Sequence, residues 1–249
     1  MAGHKETCAL QSREPMINTP AVVGWTLGLV VLVHVALSLL SEQQHIEALT
    51  VAAVLPQRFA PGLLQMDDGA LAITSLLTHQ LVHWDWMHLI MNSAWLLAFG
   101  SAVAARIGTW RFLAFGALSG IAGALAFIPF HLNDHTIIVG ASGALAGFMG
   151  GAFRFLFSAF DQGGPAAFRD HPNAIQRMSL RALMADRRAV TAIGIWVLVN
   201  FLTAIAAPLF TTASGIAWEA HLGGFAFGLL TFGYFDRQPE APATDSLVV

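Results

Sequence analysis

The sequence predicts an all-α membrane protein in which six transmembrane helices pack as one bundle. Three observations carry that prediction. Of 249 residues, 56% are hydrophobic and only 11% charged, with a mean hydropathy of +0.64, whereas soluble domains carry roughly 25% charge. Six apolar runs are each long enough to span about 30 Å of hydrocarbon. The basic residues fall almost wholly on one side of those runs. A chain crossing lipid must satisfy its own backbone hydrogen bonds, so every run should be helical.

The runs are Ala21–Leu40, Trp86–Ala105, Phe112–Phe130, Gly140–Phe160, Val190–Phe210 and Ile216–Phe235. An even number of spans puts both termini on one side. Lys5, Arg13, Arg106, Arg111, Arg154, Arg169, Arg177, Arg181, Arg187, Arg188 and Arg237 lie on that side, and Arg58 alone lies on the other. The positive-inside rule then places both termini in the cytoplasm and turns the N-terminal end of the fourth span outward. Residues 1–20 are expected to be a cytoplasmic N-terminal segment and 21–236 the bundle. Residues 237–249, with Pro239 and Pro242, are expected to be a disordered cytoplasmic tail.

The connections are unequal. Residues 41–85 form a long outer one, with an apolar piece, Ile46–Leu55, too short to span and expected at the membrane interface. Residues 161–189 are polar and basic, broken by Gly163-Gly164-Pro165, and read as a solvated inner tether near anionic lipid. Small residues four apart (Gly116 and Gly120, Gly143 and Gly147, Gly147 and Gly151, Gly224 and Gly228) mark the third, fourth and sixth spans for backbone-close packing.

Composition also sets exclusions. A net charge of -3 points to no nucleic-acid partner, and the single Cys8 excludes an intrachain disulfide or a cysteine metal cluster. The first 20 residues lack an apolar signal region, and Glu6 and Glu14 are unlike an Arg-rich transit peptide. A bacterial inner (cytoplasmic) membrane is the expected location.

The polar residues inside the apolar runs carry the chemistry. Gly140-Ala141-Ser142-Gly143 opens the fourth span. A serine there sits near free backbone N–H groups and the positive end of the helix dipole, and flanking glycines let a substrate approach. Alone, such a serine more simply caps a helix. His221 opens the sixth span, with Gly224 and Gly228 close to its face. Spans four and six both run inward, so Ser142 and His221 share a depth, and the imidazole is placed to take the hydroxyl proton. A histidine that merely bonds a neighbouring helix is the alternative.

His88 and Asn92, four residues apart on the second span, share one face. Donors from both suit a developing oxyanion, where one donor is worth about 3 kcal/mol. The alternative is a polar clasp worth about 0.6–2 kcal/mol. His79, His83 and His88 form a second constellation, open to a metal by spacing. However, no HExxH motif is present, and His79 and His83 are expected instead to hydrogen-bond the outer loop and hold it against the second span. His34 and Asn200 are each expected to make a helix–helix hydrogen bond. His131 and His135 read as solvated.

Taken together, His83…His88-x3-Asn92, Gly140-Ala141-Ser142-Gly143 and Ala220-His221-x2-Gly224-x3-Gly228 resemble the rhomboid family of intramembrane serine proteases. The resemblance covers roughly residues 20–236, with the three motifs in the family's order. It implies a rhomboid-like six-span bundle in which Ser142 is the nucleophile and His221 its base, a dyad without an acid. It implies an oxyanion hole of His88, Asn92 and the Ser142 backbone N–H. Gly140 and Gly143 would shape the turn, His79 and His83 would support it, and Gly224 and Gly228 would bring the sixth span to the fourth. The implied partners are the lipid bilayer and the transmembrane segments of other membrane proteins, cut near their outer ends. No cofactor and no metal is implied.

Two positions depart from the family pattern. Thr74 and Ser75 stand where many members carry Trp-Arg, and Ala146 stands where some place an aromatic against the catalytic imidazole. Two further functions compete with proteolysis. A non-catalytic rhomboid-like chaperone or adaptor would use the bundle to bind transmembrane helices, but such relatives usually lack the Ser and His. A transporter or metal-handling protein would want charged residues inside the bundle, where the spans have almost none.

Overall fold

A computed structural model describes residues 19–60, 68–210 and 217–236. The expectations for the segment 1–18 and for the tail 237–249 lie outside the described residues. The protein is an all-α membrane protein. The described chain runs α1 (Ala21–Ser38), α2 (Glu42–Ala52), α3 (Asp68–Thr78), α4 (Trp86–Trp95), α5 (Ser101–Ile107), α6 (Thr109–Phe127), α7 (Ser142–Asp161), α8 (Gly164–Asp170), α9 (Leu180–Ala185), α10 (Arg187–Phe210) and α11 (Trp218–Phe235). A π-helical turn, Leu96–Gly100, joins α4 to α5, so Trp86–Ile107 is one continuous rod.

Five rods among the described residues are long and apolar enough to cross a membrane: Ala21–Ser38, Trp86–Ile107, Thr109–Phe130, Ser142–Asp161 and Arg187–Ala206. The expected sixth, α11, matches them in length but not in apolarity, because its 18 residues include Glu219, His221, Gly223, Gly224, Gly228 and Gly233. That lower apolarity goes with its place in the bundle. Helix α7 is central, with 83% of its span inside the protein, against 22% for α1 and 11% for the α10 span. α1 and α10 are therefore the outer, lipid-facing helices.

Helices α6, α7 and α11 meet backbone to backbone. A Cβ on Gly224 would overlap Gly143 O, and one on Gly228 would overlap Gly147 O. Only hydrogen at those positions permits the observed spacing; Gly116 and Gly151 instead make room for the rings of Phe148, Phe115 and Phe232. Phe112, Phe115, Phe148, Phe155 and Phe232 fill the half of this seam away from Ser142 and His221.

Both long connections are more structured than expected. The outer one holds α2 and α3, with α2 started by a capping box between Ser41 and Gln44. Val54 then pairs with Ile138 through two 3.1 Å backbone bonds, and Leu49, Ala53, Val82 and Val139 form a small core beneath. Thr74 and Ser75 lie on α3 and return their hydroxyls to the backbone of their own helix.

The inner connection is not a solvated tether. Ile175, Arg177 and Leu183 are buried. Arg106 reaches the carbonyls of Pro172 and Ile175 and pairs with Asp236 at 2.9 Å, with Arg177 on the same carboxylate at 3.3 Å. Arg154, only 2% exposed, donates to Met178 O and Leu229 O. Three of the basic residues that mark one side of the bundle thus staple the loop to α5, α7 and α11. Charge counting could not show this, since burying a guanidinium depends on acceptors brought in from distant chain.

Candidate active site

The site lies where the first turns of α4, α7 and α11 converge. Asp85 caps α4 by accepting from His88 N at 2.8 Å, which sets the register that carries His88 and Asn92 inward. Asn92 Nδ2 donates back to His88 O at 2.8 Å, leaving its second amide hydrogen for another acceptor.

Ser142 is the first residue of α7, not its cap; Ala141 occupies the cap position, and no side chain caps the helix. The hydroxyl is thereby released from the capping role and is hydrogen-bonded to His221 Nε2 at 2.8 Å. Gly140, before it, has φ +112, a left-handed conformation that disfavours any side chain. A Cβ there would also stand 2.6 Å from His88 Cε1 and 2.7 Å from Nε2. The His88 ring therefore lies directly on the turn that presents Ser142. Gly143 packs its Cα under α11, as Gly224 requires.

His79 holds that turn with its backbone rather than its ring: Gly140 N donates to His79 O at 2.8 Å, while His79 Nδ1 bonds Ser75 O. Its ring makes no bond to the second span. His83 makes none either. Its ring packs edge-on against His88 with centroids 5.1 Å apart, and neither ring nitrogen has a hydrogen-bond partner among the described residues. Burial lowers the His79 imidazole to about 4. Burial, aided by His88 and His34, takes His83 to about 3. Both rings are neutral at pH 7, so they pack as near-apolar plates. Among the described residues no three His, Cys, Asp or Glu side chains converge as metal ligands would.

Two other expectations change. His34 makes no helix–helix hydrogen bond through Nδ1; its ring sits edge-on to Trp86, centroids 4.6 Å apart. His131 is not simply solvated but bridges Asp134 at 2.7 Å and Glu219 at 3.2 Å. His135 is exposed, as expected, and meets Gln57 at 2.9 Å. These contacts, with the Val54–Ile138 pair, tie the loop before Ser142 to the outer connection and to α11.

Asn200 was legible only as a polar residue on an apolar helix. It does bond across helices, and its partner is the site itself: Asn200 Oδ1 lies 2.8 Å from His221 Nδ1, and Asn200 Nδ2 donates to Trp218 O at 3.2 Å. Ala146 is buried among Met149, Phe153 and Phe225, and among the described residues no aromatic ring contacts the His221 imidazole. The His221 ring is instead held at its Nδ1 edge, by the Asn200 amide from α10. No sequence spacing links residues 200 and 221 to one site, so the signal lay in the polarity of Asn200 alone.

A cavity of about 290 Å³ opens between α1, α4, α6 and α7. Asn92, Ala141, Leu145, Phe148 and Val30 are among its walls. It is mostly apolar, and its lining includes Asn92 and Ala141, the residue before Ser142. A hydroxyl bonded to an imidazole, amide and backbone donors nearby, and an apolar recess form a set suited to acyl transfer.

The rhomboid domain family matches residues 71–238, more than half of the chain, and that stretch includes His79, His83, His88, Asn92, Ser142 and His221. No curated protein matches the chain. By fold and family match together, the chain belongs to the rhomboid family.

Proposed function

We propose that this protein is an intramembrane serine endopeptidase that cuts other membrane proteins in or near the outer end of a transmembrane segment. Rhomboid-family members are usually such proteases, and non-catalytic homologues exist. The observation that carries the catalytic reading is the 2.8 Å contact between Ser142 Oγ and His221 Nε2.

As Ser142 Oγ attacks the scissile carbonyl carbon, its proton passes to His221 Nε2 and the carbonyl electrons move onto oxygen. The Ser142 backbone N–H, the free Asn92 amide hydrogen and His88 stabilise that oxyanion. When the C–N bond breaks, the Nε2 proton goes to the leaving amine. Water, deprotonated by the same nitrogen, then hydrolyses the acyl-enzyme. The recess beside Asn92 suits an apolar or small substrate side chain. A substrate helix must unwind to expose its carbonyl, since its backbone groups are otherwise paired. The basic residues favour an orientation with six spans, both termini in the cytoplasm and the site facing outward.

Covalent labelling of detergent-purified protein with a fluorophosphonate tests this reading, alongside cleavage of a transmembrane segment carrying small and helix-breaking residues. Wild type should label at Ser142 and cleave, whereas Ser142→Ala and His221→Ala should do neither. Cleavage that persists in either variant refutes it.

A further inference from the structure

We infer that Asn200 is a positioning residue for the reaction, completing a Ser142–His221–Asn200 relay in which an amide from α10 sets the tautomer and plane of the base. The inference rests on the protease reading above and deepens it. A serine–histidine contact alone leaves the imidazole free to carry its proton on either nitrogen. With the proton on Nε2 the ring cannot accept from Ser142, and the contact is chemically idle.

The bonding of Asn200 removes that ambiguity. Its amide is ordered by Trp218 O. A carbonyl only accepts, so the group facing it at 3.2 Å must be the amide NH2. Oδ1 therefore faces His221, 2.8 Å from Nδ1. An amide oxygen has no hydrogen to donate, so Nδ1 must carry the proton. Nε2 is then the bare nitrogen, and it is the one 2.8 Å from Ser142 Oγ. Each bond dictates the donor of the next, from the Trp218 carbonyl to the serine hydroxyl. Trp218 is the first residue of α11, three before His221, so the anchor and the base move as one rigid turn.

Asn200 is 7% exposed, and its α10 neighbours toward lipid are apolar. A buried amide in such a helix is costly unless both ends are bonded, and here both are. During attack the proton leaves Ser142 Oγ for Nε2, while the Nδ1 proton stays in place and donates to Asn200 Oδ1. No proton is transferred to the amide. Its part is to hold the ring and to accept more strongly once the ring is cationic, the orienting role that the third residue plays in other nucleophile–base pairs.

The test combines ¹⁵N-histidine spectroscopy with kinetics on the full chain, His221 being assigned by its loss in His221→Ala. Wild type should show His221 as the Nδ1–H tautomer. Asn200→Leu should keep its KM within about threefold, lose kcat by about 10²-fold, the low end of what general-base catalysis supplies, and show mixed tautomers. Asn200→Asp, which keeps an acceptor toward Nδ1, should recover most of that kcat. A His221 in the Nε2–H form in wild type overturns the inference whether or not any variant folds. So does a folded Asn200→Leu that keeps both tautomer and kcat, since a merely structural amide would move neither. An Nδ1–H tautomer in a protein with no Ser142-dependent turnover would instead sink the protease reading, and the catalytic meaning of Asn200 with it.

Discussion

Gly224→Ala should act as a wedge between the two helices that carry the reacting groups. The added methyl would overlap Gly143 O, with Gly143 C and Cα close behind, and all three are backbone atoms that no rotamer change can move aside. Relief therefore requires α7 and α11 to part on the ångström scale at the turn between Ser142 and His221. Overpacking of this kind costs about 1–3 kcal/mol. It is opposed by the roughly 0.5–1 kcal/mol that Ala gains over Gly inside a helix, so a net loss of about 1–2 kcal/mol is expected. Misplacement of reacting groups by about 1 Å can cost 10²-fold in rate, so fluorophosphonate labelling should fall by about that factor. Gly28→Ala is the matched control. It is also in a membrane helix, but a Cβ there meets nothing within 4 Å, so it should be neutral or slightly stabilising. Denaturation by titrating SDS into mixed micelles measures stability independently of catalysis. If Gly224→Ala and Gly28→Ala denature alike and label alike, the argument from helix contact is wrong.

Three further outcomes follow from the same geometry. Gly140→Ala combines a left-handed φ with a collision on the His88 ring; labelling at Ser142 should drop by at least about tenfold for a strain of about 1–3 kcal/mol, and normal labelling would refute the placement of His88. Asp236→Ala leaves Arg106 and Arg177 facing each other without their shared carboxylate, so SDS denaturation should show a loss of about 3–5 kcal/mol, and a loss below about 1 kcal/mol would show that the ion cluster is not holding the inner loop. His79 titrates near 4 when folded and about 6.5 when unfolded, so the unfolded chain binds more protons between those values. Stability should be fully present above about pH 6.5 and decline as pH falls toward 4, by up to about 3 kcal/mol from this residue; His79→Gln should flatten that slope, and an unchanged slope would refute the assignment.

Composition and run length made the class of the protein legible, and span depth put Ser142 and His221 at one level. Lipid admits only helices with internally paired backbones, so composition and run length suffice to read an all-α membrane protein. A span of fixed length also makes depth legible, which is why Ser142 and His221 could be matched across residues far apart in sequence. The Gly224 and Gly228 pair was equally readable, since it packs backbone to backbone against Gly143 and Gly147.

What the remaining polar groups do became legible only once the helices were packed. Asn200 bonds His221, Arg154 bonds carbonyls of a loop and of α11, and His79 supports the Ser142 turn through its backbone. Each of those contacts depends on the rotation of one helix about its axis, and on a partner whose sequence position carries no periodic signal. The physical reason is directionality. Burial and span length follow from summed apolar area, which a sequence states outright. A hydrogen bond follows from the angle between two groups, which exists only once the helices have packed.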